Sequence, residues 1–500
     1  MNPIWSDYLY EHNDLFEKHS VVNLFRKAAE YYPDKIAVYS EDEQITYQQL
    51  EKWSNQIAHG ISQMNTNNHE KIISISSGRN AYTIAAILGI WKTGVAYAFF
   101  DSDSPKEYND YIHKLCGSKI SLSLDIIKTF IKEQPDTFFE EIGEPDRLAV
   151  VIFTSGSTGF PKGVMLSHRA LTASASNMNI LGLDSNTHFG FFASFMFIAS
   201  VNDLCATLIY GATAYLIPRL IRKDISQLAQ YYIDHKITFT YLPPHMAMKY
   251  MKMKQSPYLV TLIVGSEPTR NLKKQNYNIV NVYASSEGCS IIAHYSVKDN
   301  RVEYPIGKIM PTFHYYICDE NLNQVNYGQK GELCISGPQL FSGYLKLEEL
   351  TNKKRFPNPF DTDPGFEYLF KTGDIVSAGP EGLIYHGRVD HMVKVRGFRI
   401  ELTGVEKKML SYPGIKEACC TVFKDNGGTN ILFGYYISDN KIDHEKYREY
   451  LATQMPYYMI PSCLISMDEF PHTPSGKVSR KHFTAPQELN DRSTLLKKYR

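Results

Sequence analysis

From about Ser20 to Asn281, short β-rich runs alternate with helical patterns, and this alternation constrains the fold more than any other feature of the sequence. KIISISS (71–77) leads into a helical run from Ala81 to Lys92, and VAYAFFD (95–101) follows. ITFTYLP (237–243), YLVTLIVGS (258–266) and NIVNVY (278–283) continue the pattern. Strand and helix in turn predict parallel sheets covered by helices, because each crossover must lay a helix on the sheet face. The chain has 500 residues, more than one hydrophobic core serves, since cores stop growing near roughly 250–300 residues. At least two domains are therefore expected. Beyond about Asp390 the texture changes: IKEACCTVF (415–423) and ILFGYYIS (431–438) flank the turn residues DNGG (425–428) as a hairpin, and DHEKYREYLATQM (443–455) follows as an amphipathic helix.

Lys plus Arg and Asp plus Glu number 53 each, so no net field draws the chain to nucleic acid or to an anionic membrane. Any phosphate chemistry must be local. The eight cysteines include no C-x-x-C pair, so zinc spacing is absent and a reducing, cytoplasmic compartment is expected. The N-terminus has acids early and no basic-then-apolar leader. The apolar stretch 189–218 is interrupted by Asn202 and Asp203, and it reads as strand, helix and strand rather than a membrane span of about 20 uninterrupted apolar residues.

The strongest local signal is LAVVIFTSGSTGFPKGVMLSHRAL (148–171). A β-run opens at Phe153 into Thr154, Ser155, Gly156, Ser157, Thr158 and Gly159, with Lys162 shortly after. Glycines let a backbone approach phosphate and turn its N–H groups inward, hydroxyls add donors, and a lysine supplies charge. The spacing differs from G-x-x-x-x-G-K-[ST], because Pro161 stands five residues after Gly156. A Walker-type NTPase is disfavoured. A Ser/Thr/Gly string alone is more often a surface connection; the full ten-residue string is what argues otherwise.

This string resembles the phosphate loop of the acyl-adenylate-forming superfamily, which includes acyl-CoA synthetases, firefly-type luciferases and non-ribosomal-peptide adenylation domains. ITYQQL (45–50), NVYASSEG (281–288), YLFKTGD (368–374), GRVDHMVKVRGFRIEL (387–402) and TPSGKVSRK (473–481) resemble further motifs of that family in the right order. The run from GELCISGPQLFSGYL (331–345) to the closing Gly-Lys is most similar to stand-alone adenylation domains and D-alanine–carrier-protein ligases. The resemblance implies an α/β fold, with a large N-terminal body of mostly parallel sheets packed with helices (1–389) and a smaller mobile α+β C-terminal domain (390–500), hinged at Asp390.

It also implies roles. Lys477 is the catalytic cation, Thr154 and Lys162 act on the phosphates, and Glu287 holds Mg²⁺ between phosphate oxygens, a hard ligand for a hard cation. Tyr283 lies against adenine, Asp374 accepts from the ribose hydroxyls, and Arg388 adds a contact to that sugar. Ser155, Gly156, Ser157, Thr158 and Gly159, with Ala284, Ser285 and Ser286, complete the ATP site. The Lys394, Arg396 and Gly397 loop would meet the incoming thiol. Ala284-Ser285-Ser286 departs from the family's Gly-Pro-Thr but keeps a hydroxyl. Each of these charged residues alone would pass for a surface charge; Lys162, Glu287, Asp374 and Lys477 together speak against a catalytically silent relative.

The acid pocket implied by the resemblance comprises Phe197, Ile198, Ala199, Asn202, Tyr241, Val264, Gly265, Val282, Ser290 and Ile291. Adenylation domains for α-amino acids carry Phe-Asp-x-Ser, in which the aspartate pairs with the substrate ammonium; here the segment is Phe197-Ile198-Ala199-Ser200. An ammonium facing isoleucine costs several kcal/mol, so a hydroxy, keto, aryl or short acyl acid is expected, or an amine sited elsewhere on the substrate. Asp203 is read as capping or polarising the following helix, with service to an amine as the alternative. The expected reagents are ATP, Mg²⁺, a carboxylic acid and a separate phosphopantetheinylated carrier protein, since no carrier segment follows before Arg500; CoA is the alternative acceptor. No nucleic-acid or membrane partner is expected.

Overall fold

The computed structural model describes residues 5–486 except 42, 65–70, 101–103, 157–158, 391, 426–428 and 473–477. The chain divides into two compact units. One comprises Met1–Phe100, Leu115–Phe153 and Gly163–Val389; the other comprises Asp101–Lys114, Thr154–Lys162 and Asp390–Arg500.

In the first unit, a six-stranded sheet runs in the order Gly343–Tyr344, Lys162–Ser167, Leu148–Thr154, Ala96–Phe99, Ile72–Ile75 and Ser121–Leu122. Its central pairings are parallel, as the alternating sequence predicts. The crossover helix Ala81–Lys92 starts at Asn80, whose side chain accepts from Thr83 N and satisfies one of the orphan N–H groups of the first turn. Every residue of this helix except Tyr82 is buried. At Gly89 a Cβ would stand 2.7 Å from Ile57 Cγ2, so the absence of a side chain lets the helix Tyr47–Met64 pack close. Lys92 closes the helix fully buried. Its ammonium meets Glu51 at 2.7 Å, Ser54 Oγ at 2.7 Å and Asn55 Oδ1 at 2.6 Å, while burial pulls its pKa down to about 8.

The second sheet has nine strands. Asn278–Ser285, Thr261–Gly265, Phe239–Leu242, His188–Phe191, Thr213–Leu216 and Ile36–Tyr39 form its parallel centre, and Lys308–Ile309, Ser290–Ser296 and Gln44–Thr46 add antiparallel pairings toward the edges. The apolar stretch 189–218 is the strand His188–Phe191, the helix Ile198–Ile209 and the strand Thr213–Leu216. Among the described residues no helix is long and apolar enough to cross a membrane.

Asp203 departs from its reading as a cap. It lies in the middle of the helix Ile198–Ile209, whose N-cap position is Phe197. It is 4% exposed, its Oδ2 has no hydrogen-bond partner, and burial pushes its pKa well up against the opposing pull of Arg79.

A third, antiparallel sheet was not foreseen in the sequence. It joins His314–Cys318, Gly331–Ser336, Tyr368–Gly379 and Arg355–Pro357, with Gly382–Arg388 paired to the long strand.

In the second unit, Met392–Val395 and Phe398–Glu401 form a ribbon, followed by the helix Leu402–Leu410. The expected hairpin is present: Ile415–Lys424 pairs antiparallel with Asn430–Ser438, and Cys463–Ser466 adds a parallel edge strand. Residues 426–428 of its turn lie outside the described residues. The helix His444–Gln454 is capped by Asp443, which accepts from Glu445 N and Lys446 N, and it buries Tyr447 and Leu451.

Candidate active site

The loop that joins Asn278–Ser285 to Ser290–Ser296 is a tight reversal, closed by the antiparallel pair Ser285 and Ser290. Ser285 Oγ accepts from Gly288 N at 3.0 Å, which closes the turn. Cys289 (φ +47°) and Ser290 (φ +88°) take left-handed backbone conformations, a strained arrangement that persists only where surrounding bonds impose it. Gln339, fully buried, imposes it: its Nε2 lies 2.8, 3.2 and 3.0 Å from the carbonyls of Gly288, Cys289 and Ile291. Glu287, at the apex, is 0% exposed, and its Oε1 accepts from the Tyr344 hydroxyl at 2.9 Å.

Tyr283 and Asp374 come together in the same unit. The Tyr283 hydroxyl donates to Asp374 Oδ2 at 2.5 Å, and Arg388 pairs with Asp374 Oδ1 at 2.7 Å. Asp374 and Arg388 are direct partners across the strands Tyr368–Gly379 and Gly382–Arg388, so the sheet register holds the ion pair. Burial, then the neighbouring Asp374 carboxylate, pushes the Tyr283 phenol well up, so it stays protonated and a donor. The result is a carboxylate oriented from both sides, suited to accepting hydroxyl hydrogens. Ala284, Ser285 and Ser286 beside Tyr283 are half-buried.

The residues expected to line an acid pocket differ in burial. Ile198, Val264, Val282, Ser290 and Ile291 are buried, whereas Phe197, Ala199 and Tyr241 are half-buried. Gly265 stands opposite Val282, and a Cβ on it would lie 2.7 Å from the Val282 carbonyl, so only glycine permits this strand contact. Asn202 is engaged elsewhere: its Oδ1 accepts from Ser174 Oγ at 2.7 Å, and Ser174 Oγ also lies 2.6 Å from the Cys289 carbonyl. The pocket helix is thereby tied to the loop that carries Glu287.

Thr154–Lys162, expected to hold phosphate, belong to the second unit. Thr154 Oγ1 is buried without a hydrogen-bond partner. Ser155 Oγ donates to Arg399 O at 2.8 Å and accepts from Glu401 N at 3.2 Å. Gly159 has φ +88°, and its N–H donates to Gly156 O at 3.2 Å. Lys162 begins the exit strand Lys162–Ser167. Ser157 and Thr158 lie outside the described residues, as does Lys477.

In the ribbon, Arg396 (φ +54°) and Gly397 (φ +87°) form the two-residue turn between Val395 and Phe398, the type I′ geometry favoured by the twist of paired strands. Lys394 O accepts from Asn430 Nδ2 at 2.7 Å, and Asp390 Oδ1 accepts from Met392 N at 3.3 Å. Sequence reasoning missed Tyr344 and Gln339: a tyrosine in GYL and a glutamine in GPQL carry no signal that separates them from ordinary core residues.

The AMP-binding enzyme family model matches residues 25–345. Bacitracin synthase 1 of Bacillus licheniformis is 32% identical over 485 residues, covering 94% of this chain and 9% of that protein. Tyrocidine synthase 1 of Brevibacillus parabrevis is 31% identical over 492 residues, covering 93% of this chain and 45% of that protein. The chain thus spans less than half the length of either relative. Among solved structures, PA1221, an NRPS protein containing adenylation and PCP domains, superposes with a TM-score of 0.82 at 20% identity, covering 94% of this chain and 84% of that chain. An o-succinylbenzoate CoA synthetase from Bacillus subtilis gives 0.79 at 19% identity, with coverages of 93% and 98%. The chain belongs to the AMP-binding enzyme family.

Proposed function

We propose that the protein joins a carboxylic acid to AMP and then passes the acyl group to the phosphopantetheine thiol of a separate carrier protein. An oxygen of the acid attacks the α-phosphorus of ATP; the new P–O bond forms as the bond to pyrophosphate breaks. The transition state is crowded with negative charge, so positioning and electrostatic stabilisation carry the catalysis. The observation that carries this reading is Asp374, held by Tyr283 and Arg388, as the acceptor for the ribose hydroxyls. Thr154 Oγ1 and Lys162 serve the phosphates, and Lys477 supplies the cation at the reacting carboxylate.

Mg²⁺ fits the residues present. Among the described residues no group of three or more His, Cys, Asp or Glu could hold a metal, but an ion carried by a nucleotide needs only one or two protein carboxylates, the rest of its shell being phosphate and water. Glu287 is that carboxylate. When bound, the ion neutralises phosphate charge.

Acid-dependent exchange of pyrophosphate into ATP tests the adenylation reading; exchange that does not depend on any acid would refute it. Offering the acyl-adenylate to a carrier protein and to CoA tests the acceptor, and preference for CoA would replace the carrier by the alternative. Tyr283→Phe keeps the ring and removes one donor to a charged oxygen, worth about 1.5 kcal/mol or more. The KM for ATP is expected to rise roughly tenfold, with a smaller change in kcat, as read from exchange kinetics.

Asp390→Pro fixes φ at the residue that opens the C-terminal segment of the second unit. Thioester formation is expected to fall further than adenylation in this variant. Equal loss of both would remove the hinge role.

A further inference from the structure

The segment from Gln339 to Tyr344 touches the Glu287 loop at every level. Gln339 Nε2 meets the carbonyls of Gly288, Cys289 and Ile291; Phe341 N donates to the Glu287 carbonyl at 2.9 Å; and the Tyr344 hydroxyl donates to the Glu287 carboxylate itself. Backbone, turn and side chain are therefore fixed from one short stretch. Tyr344 is 3% exposed and lies in the strand Gly343–Tyr344, which pairs antiparallel with Lys162–Ser167 through Tyr344 and Val164. Its backbone is thus tied to the strand leaving the phosphate loop while its hydroxyl reaches Glu287.

We propose that Tyr344 is the positioning residue of Glu287, setting the rotation of its carboxylate for a divalent cation, with Gln339 bracing the loop beneath it. The proposal rests on the reading of Glu287 as a cation ligand. A carboxylate offers about four acceptor positions, so one phenol on Oε1 fixes its plane without exhausting it. Partners that orient a metal ligand typically change metal affinity by about 10- to 100-fold when removed.

The test is Mn²⁺ binding to the full chain with a non-hydrolysable ATP analogue, followed by electron paramagnetic resonance, in the unaltered protein, Glu287→Gln, Tyr344→Phe and the double variant. Tyr344→Phe is expected to weaken Mn²⁺ about tenfold, to lose exchange activity at low Mg²⁺, and to recover it at high Mg²⁺, which a merely structural defect would not do. Adding Tyr344→Phe to Glu287→Gln is expected to have little further effect, because the hydroxyl acts through that carboxylate. If Glu287→Gln weakens Mn²⁺ but Tyr344→Phe does not, or if the two losses simply add, the positioning role is overturned. If Glu287→Gln binds Mn²⁺ normally, the cation reading of Glu287 falls instead. The two failures are thus distinguishable.

Discussion

Lys477→Ala is expected to lower acid-dependent pyrophosphate exchange by at least about 10²–10³-fold while leaving thermal unfolding unchanged. The magnitude is that of removing one preorganised donor from a transition state whose charge it balances. Attack on the α-phosphorus brings a carboxylate oxygen against a phosphate already negative. In the proposed reaction the other charged groups are assigned elsewhere, Glu287 to the cation, Asp374 and Arg388 to the sugar, and Lys162 to the phosphates. None of these addresses the acid's own charge. Lys477 follows Gly476 in the string TPSGKVSRK, a setting in which a lysine is normally a solvated surface residue with little effect on stability. Exchange at the normal rate in this variant would contradict the assignment of the catalytic cation. A large drop in melting temperature would show that the lysine holds structure instead.

The sequence revealed the parts of this protein whose local pattern is sufficient by itself. The run 71–101 reads as strand, helix and strand because two short β-rich runs, KIISISS and VAYAFFD, flank a longer helical pattern. The phosphate loop was visible because glycine, hydroxyl and lysine residues recur in an order that few other structures need. The antiparallel sheet of 314–388 was invisible for a physical reason. Gly331–Ser336 is buried on both faces, and Tyr368–Gly379 buries consecutive residues, so neither shows the period-two alternation that marks a strand. Asp203 misled because an acid near an apolar run resembles a cap, whereas it lies buried in mid-helix and the charge that acts on it is Arg79, remote in sequence. Tyr344 and Gln339 were missed because their partners are Glu287 and the carbonyls of its loop, contacts that exist only once the strand Gly343–Tyr344 is in place.

Acids without an α-ammonium are expected to be activated at least about 100-fold better, in kcat/KM, than their L-α-amino counterparts, because an ammonium buried without a partner costs several kcal/mol. Ile198 stands at the first position of its helix, 8% exposed, where α-amino-acid-specific relatives are expected to carry aspartate. Two nearby groups could compensate, and neither is suited to it. Asn202 is neutral, and its Oδ1 already accepts from Ser174. Asp203 is deeply buried, which disfavours its charge, and the cation in its field is Arg79, which donates to the carbonyls of Phe191 and Ala193. An added ammonium would meet that guanidinium's repulsion as well as Asp203's attraction. Trapping the acyl-adenylate with hydroxylamine across amino, hydroxy, keto, aryl and short acyl acids measures the preference. Ile198→Asp, which supplies the missing anion beside the pocket, is expected to shift the ratio toward amino acids by at least about tenfold. A common L-α-amino acid emerging as the favoured substrate of the unaltered protein would overturn the role given to Ile198 while leaving the adenylation chemistry intact.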